Sequence, residues 1–212
     1  MHIVVTGANR GIGRALADHY RALGHDVTGT ARSGGADVVL DVTNPDQHAE
    51  MARYLQNRPV DLLVCNAGVY LDKNEGINGF PADIWAETFA ANVTGVFLTI
   101  QALLPNLRAA RGKVAIISSQ MASHTQAPGG SYIYRASKAA ALNLGRNLAM
   151  DLNGDGIAVG IYHPGWVRTD MGGSAADITV EQAVSGLADR FDTLSLDTTG
   201  CFETWDGRAH AY

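Results

Sequence analysis

The chain holds three lysines, and one of them stands in the run Tyr132-Ile133-Tyr134-Arg135-Ala136-Ser137-Lys138. A free tyrosine has a pKa of about 10 and is a poor proton donor or acceptor near neutrality. A neighbouring cation favours the phenolate and lowers that value. Residues four apart on a helix share a face, with Cβ atoms roughly 5–6 Å apart, and Tyr134 and Lys138 have that spacing. Tyr132 lies about 240° further round such a helix, so it reads as a packing or substrate-pocket residue. A tyrosine and a lysine four apart are by themselves ordinary surface neighbours. The pair gains meaning only in company.

That company begins with Thr6-Gly7-Ala8-Asn9-Arg10-Gly11-Ile12-Gly13, set between a β-branched run and a segment of helical period. Glycines at a strand-to-helix turn allow unusual dihedrals and close approach of an anion to the backbone. The helix start then offers unpaired N–H groups and a positive dipole end. Alone, the run would be a tight turn; at the first strand–helix junction of an alternating chain it reads as a dinucleotide phosphate cradle.

Four further motifs follow in order. Asn66-Ala67-Gly68 closes a strand, Asn92 lies in Asn92-Val93-Thr94-Gly95, Ser118-Ser119 end another strand, and Pro164-Gly165 precede Thr169 by a short step. Together with the glycine turn and Tyr134/Lys138 they resemble the short-chain dehydrogenase/reductase family over nearly the whole chain. The runs around Lys138 and His163-Pro164-Gly165-Trp166-Val167-Arg168-Thr169 are most similar to its C-factor and sniffer-type carbonyl reductases. The resemblance implies an oxidoreductase that moves a hydride between nicotinamide and a carbonyl or secondary alcohol. Tyr134 is then the proton donor or acceptor, and Lys138 binds the nicotinamide ribose and tunes Tyr134. Ser119 polarises the carbonyl, and Asn92 holds a water in a relay to Lys138. Ser118, on the opposite side of the strand by alternation, is the competing serine. The 14 residues between Ser119 and Tyr134 are slightly more than the family's usual spacing, with the excess placed at Pro128-Gly129-Gly130.

The cofactor follows from the end of the second strand. An NAD site usually places an acid there for the ribose 2′-hydroxyl, whereas this chain reads Thr30-Ala31-Arg32. Arg32 supplies a planar cation that grips a 2′-phosphate, and Arg10 can reach the same group. Both positions match the family's NADP-preferring members. NADP(H) is therefore expected, with NAD(H) the alternative if Asp37 turns inward. The resemblance assigns the phosphate cradle to Gly7, Asn9, Gly11, Ile12 and Gly13. It puts Asp41 and Val42 at the adenine and Asn66, Ala67 and Gly68 at its ribose. Pro164, Gly165, Val167 and Thr169 are assigned to the nicotinamide end, with Thr169 on the carboxamide.

These side chains need elements to carry them. Strands are expected at 2–6, 26–31, 36–40, 60–66, 112–119, 156–162 and 200–205. Helices are expected at 11–23, 45–57, 81–108, 131–153 and 180–194. In the first helix Ile12, Ala15, Leu16, His19 and Leu23 form the apolar face. Alternating strand and helix, with strands apolar throughout, specify a single α/β Rossmann-type domain over 1–212. Its doubly wound, mostly parallel sheet should have about seven strands. One link is anomalous: only Arg32-Ser33-Gly34-Gly35 separate the second and third strands, where a parallel crossover normally needs a dozen residues. Either the link is an extended loop that has lost its helix, which is the favoured expectation, or one of the two strands is vestigial.

Composition sets outer bounds. The chain has 212 residues, 46% of them hydrophobic and 17% charged, and a net charge of −5. That suits a globular protein and gives nucleic acid or an anionic membrane no basic surface. Cys65 and Cys201 read as reduced core thiols, and no signal-like or membrane-spanning run appears, which points to the cytoplasm. No histidine pair has ligand spacing, so no metal is expected. His163 is read as a cofactor contact or a packed strand-end residue. Fifteen residues, Gly165 to Thr179, precede the last helix, with Gly172-Gly173-Ser174-Ala175-Ala176 read as a flexible lid over a small-molecule carbonyl or alcohol. Trp166, Met171, Met121, Tyr132 and Trp85 are candidate walls of that site. Apolar residues on more than one face of helices 81–108 and 131–153 suggest a homodimer or homotetramer. The rival reading is a dinucleotide-sensing module of the C-factor type, which has no need of a proton donor.

Overall fold

The computed structural model describes residues 1–73 and 75–212. Seven strands form one sheet: β1 His2–Thr6, β2 Asp26–Ala31, β3 Val38–Val39, β4 Leu62–Cys65, β5 Lys113–Ile117, β6 Ala158–His163 and β7 Phe202–Thr204. Their order is β3-β2-β1-β4-β5-β6-β7, with every pairing parallel. Chain direction across the sheet reverses between β1 and β4. That gap is where ligands of open α/β sheets bind.

Period-two alternation divides the core in two. Val4, Leu63, Val114, Ile116 and Ile161 face α2 Pro45–Leu55, α4 Gly95–Ala102, α5 Leu104–Ala110 and α6 Tyr132–Asn153. Ile3, Val5, Val64, Ala115 and Tyr162 face α1 Gly11–Ala22 and α7 Val180–Thr193. Helices on both faces explain why the inner strands are apolar at successive positions.

The elements fall where the sequence puts them, with three corrections. The buried stripe of α1 is Gly13, Leu16, Ala17 and Tyr20; Leu23 lies past the helix end and is 60% exposed. The expected helix 81–108 is divided. It runs as α3 Ala82–Phe89, a π turn Ala90–Thr94 and α4, then bends by 58° into α5. Pro105, in the first turn of α5, has no N–H and its ring crowds the preceding turn, which ends α4. Third, β3 is two residues, not five.

The short second crossover is a helix-free link. Residues 32–37 carry no helix, yet Thr30 pairs with Val38 and Ala31 with Val39. A two-residue strand asks the chain to travel back only a short way, so six residues suffice. Asp37 covers the edge that β3 leaves open. Its N–H bonds Gly29 O (3.0 Å), and its carboxylate accepts from Gly29 N and from Arg21 (both 2.7 Å). Among the described residues, no single helix is long and apolar enough to cross a membrane.

Close packing between α4 and the segment after β3 fixes one wall of the crevice. A methyl on Gly95 would meet the Val42 carbonyl oxygen at 2.8 Å and the Val42 Cγ2 at 2.8 Å. Alanine is about 1 kcal/mol the better helix former, but backbone cannot yield as a side chain does. Gly95→Ala is expected to destabilise the protein by about 1–3 kcal/mol, read as a lower urea midpoint at unchanged slope.

Candidate active site

The crevice is built from the ends of β1 and β4. The Thr6 hydroxyl accepts the N–H of Asn66 and of Ala67 (both 3.0 Å) and donates to Val64 O (3.4 Å). The Asn66 amide returns to Thr6 O (2.9 Å) and Gly7 O (3.3 Å). Asn66-Ala67 thus buttresses the glycine turn. Gly7 and Gly11 have φ of 68° and 53°, and a methyl on Gly13 would lie 2.3 Å from Gly7 O. The helix start formed in this way has no side-chain cap and no acid in its first turn. Its N–H groups and dipole are left for an anion, which fits a dinucleotide pyrophosphate.

Two of the other segments assigned to the cofactor approach this turn. Asn9 Cβ lies 3.7 Å from a methyl placed on Gly35, so the 32–37 link adjoins the cradle. Arg32 is exposed at the end of β2. Asp41 accepts from the Thr43 N–H (2.9 Å) and hydroxyl (2.7 Å). Partial burial works to raise its pKa, but those bonds and the Arg32 charge carry it below the usual value. Val42 is buried under Gly95. Arg10 points across the crevice to Asp170 at 3.4 Å, both exposed. It therefore faces the segment after β6 and not Arg32. Thr169 stands over Gly11, its methyl 3.6 Å from a Cβ placed there.

On the other side of the gap, Tyr134 and Lys138 are buried one turn apart on α6, 7% and 6% exposed. Lys138 Nζ is 5.7 Å from the Tyr134 ring centroid and donates to Ile117 O at 2.9 Å. Ser118 turns away, its hydroxyl bonded to Lys138 O at 3.1 Å. Ser119 accepts from Met121 N (3.1 Å), and its hydroxyl favours the ionised form of the Tyr134 phenol. A methyl on Gly68 would reach Asn92 Oδ1 at 2.9 Å and Lys138 Nζ at 3.5 Å; glycine lets the ammonium sit against the crevice floor. Burial drives Lys138 down to about 8. Burial also raises Tyr134 well above its ordinary value; Ser119 opposes that shift, and Tyr70 and Asp72 add to it.

Asn92 lies buried on the π turn and its amide bonds three partners. Oδ1 accepts from Val69 N (2.8 Å), and Nδ2 donates to Val69 O (2.9 Å) and Ser137 Oγ (3.0 Å). The side chain is a brace between the segment after β4 and α6. His163 is buried and neutral, burial taking it to about 4, with its ring edge-on to His210; it is a packed strand-end residue. The lid is hydrogen-bonded, contrary to its small-residue composition. Gly172 N bonds Thr169 Oγ1, Gly173 N bonds Thr169 O, and Arg168 Nε bonds Ala176 O. Trp166 donates to Gly172 O (2.8 Å), and Tyr132 sets its ring edge-on to Phe80. Trp85 stacks on Phe89, within the same helix.

Tyr70 and Asp72 were not legible in advance. The Tyr70 ring stacks on Tyr134 at 4.2 Å, and its hydroxyl meets Ser131 Oγ at 2.5 Å. Asp72 accepts the N–H groups of Ile133 and Tyr134. The one sequence signal was negative, a long helix whose first turn has no acid.

An anion cradle joined to a buried Tyr–Lys pair and a serine at the carboxyl ends of parallel strands defines a dinucleotide-dependent oxidoreductase. The family model described as short chain dehydrogenase matches residues 1–178, and the chain belongs to that family. It is 37% identical over 155 residues to C-signal of Myxococcus xanthus, covering 70% of this chain and 90% of that protein. Its fold matches NADPH-bound carbonyl reductase from chicken fatty liver with a TM-score of 0.91 and 30% identity, over 100% of this chain and 98% of that one. It matches carbonyl reductase Sniffer of D. melanogaster with a TM-score of 0.92 and 25% identity, over 100% and 99%.

Lys138 leaves a signature in stability. With the folded-state value lowered from 10.5 to about 8, the unfolded chain keeps a proton through this window that the folded chain has released. Stability from this residue therefore rises with pH there. From about pH 7 to about pH 9.5, the unfolding free energy is expected to climb by about 2 kcal/mol relative to Lys138→Met, measured by urea titration at each pH.

Proposed function

We propose that the protein is an NADPH-dependent reductase of small carbonyl compounds, with Tyr134 giving the proton to the carbonyl oxygen. The observation that carries this is the burial of Tyr134 beside Lys138 and Ser119, facing an uncapped helix start across one crevice. When bound, the dinucleotide supplies the hydride to the carbonyl carbon. The α1 N-terminus and the Gly7, Asn9, Gly11, Ile12 and Gly13 backbone hold its pyrophosphate, with Arg10 at the rim. Asp41 and Val42 border the adenine, and Asn66, Ala67 and Gly68 its ribose. Pro164, Gly165, Val167 and Thr169 frame the nicotinamide end. Lys138 binds the nicotinamide ribose and lowers the cost of a phenolate, and Ser119 polarises the substrate oxygen. Asn92 braces the Val69 backbone to α6 and holds a water in a relay to Lys138.

NADP(H) is the preferred cofactor. No acid stands at the end of β2, Arg32 is exposed there, and Asp37 is held by Arg21 and the Gly29 N–H. The NADPH bound to the chicken reductase agrees with this. The chain works as one dinucleotide-binding domain. Subunits pair through α3–α5 and α6, where Trp85 and Phe97 are each 39% exposed and Met150 77%.

The test is NADPH oxidation against a panel of aldehydes, ketones and quinones. Turnover is expected with at least one class, and NADPH should bind more tightly than NADH. Arg32→Asp should erase or invert that preference, a change of about 10–100-fold in relative affinity for the loss of a charged hydrogen bond. Tyr134→Phe should lower turnover by about 10²–10⁴-fold while NADPH binding persists. NADPH binding without any turnover across the panel would favour a sensing module instead.

A further inference from the structure

We propose that Asp72 is a positioning residue for Tyr134. Its carboxylate anchors the first turn of α6 from outside the helix, and its charge keeps the phenol in the form that can donate a proton. The proposal rests on Tyr134 being the proton donor.

The geometry starts from a helix that lacks a cap of its own. Ser131, at its N-terminus, has φ 48° and ψ 42°, in the left-handed region, and makes no side-chain bond to the first turn. The opening N–H groups of a helix have no partner within it, and these are buried. Asp72, 61 residues away in sequence, supplies the acceptors. It takes the Ile133 N–H at 2.8 Å and the Tyr134 N–H at 3.2 and 3.3 Å. The carboxylate is 0% exposed. The adjacent Lys73 turns its ammonium to Met171 O at 3.2 Å, and among the described residues no cationic side chain pairs with Asp72. Its charge is balanced by the helix N–H groups and dipole, and the residue it grips is Tyr134 itself.

The groups acting on the phenol come from three elements. From the segment after β4 come Asp72 and the stacked Tyr70; from α6, the Lys138 ammonium; from the end of β5, the Ser119 hydroxyl. Lys138 and Ser119 favour the phenolate. Asp72 and Tyr70 disfavour it, in the same direction as burial. A buried ammonium alone would pull the phenol towards ionisation, and Asp72 supplies the opposing charge. Tyr70 completes the clamp, with its ring on Tyr134 and its hydroxyl on Ser131.

The experiment compares pH–rate profiles of the full-length protein and Asp72→Asn, in both reaction directions at saturating cofactor. Asparagine keeps an oxygen for the two N–H groups and removes the charge. Carbonyl reduction needs protonated Tyr134, so its rate falls as pH rises through the phenol pKa; alcohol oxidation needs the phenolate, so its rate rises there. Removing a nearby negative charge lowers that pKa, and both limbs are expected to move to lower pH by about one unit. A cap with a purely structural role would reduce rates without moving either limb. That outcome, or a move to higher pH, overturns the proposal. NADPH binding by Asp72→Asn reports that the variant is folded, and Asp72→Ser, a short neutral cap, is read in the same way if it is not. The unaltered protein gives an independent reading. Phenolate absorbance of the cofactor-free protein minus that of Tyr134→Phe should show Tyr134 ionising above about pH 10; ionisation at or below that value also overturns the proposal. Absence of turnover in the unaltered protein defeats the reductase reading, whereas turnover with unmoved limbs in Asp72→Asn defeats the role of Asp72 alone.

Discussion

A single hydroxyl group joins the two halves of this site. Thr6 closes β1 and takes the amide hydrogens of both Asn66 and Ala67 at the end of β4. These strands are neighbours at the point where the winding of the sheet reverses. On the β1 side the bond fixes where the glycine turn leaves the sheet and where α1 begins. On the β4 side it fixes Gly68, whose missing side chain lets Asn92 and Lys138 come close. The glycine turn and the Tyr134–Lys138 pair are thus referred to one origin. Their separation is set by the spacing of two adjacent strands, about 4.8 Å, and not by loops.

Burial then does two things to the residues so placed. It holds Tyr134 and Lys138 against their charged forms together, because each has left water for a low-dielectric setting. It also makes every remaining dipole count for more than it would in solvent. The proton position on the phenol is therefore decided by a small number of neighbours: Ser119 and Lys138 on one side, Tyr70 and Asp72 on the other.

The sequence carried the parts of this arrangement that are local. Alternation of polar and apolar residues is absent from the inner strands because helices cover both faces, and the run Ile3-Val4-Val5 announces that directly. The four-residue step from Tyr134 to Lys138, the uncapped turn before α1 and the missing acid after β2 are likewise short-range signals. What escaped was set by distance in the chain or by local crowding. Asp72 reaches α6 across 61 residues, and no spacing rule links the two. The π turn around Asn92 and the ordering of Gly172-Gly173 arise from packing against Val69 and Thr169, which composition does not encode. The stripe on α1 is displaced because Gly13, with no side chain to score, is one of its buried members and lies too close to Gly7 O to carry a methyl.

The helix-free link at residues 32–37 has a consequence for how the protein can vary. A crossover helix would tie the adenosine end of the crevice to the core through its own apolar face; here that end is bordered by an exposed loop whose anchor is the Asp37 clasp on Gly29 and Arg21. Lengthening a surface loop costs little, about 0.6 kcal/mol for each doubling. The neighbourhood of Arg32 is thus open to insertion and exchange while the crevice beside Tyr134 and Lys138 stays as it is. The Arg32 loop and the Tyr134–Lys138 pair occupy mechanically separate parts of one sheet, and the first can be rewritten without disturbing the second.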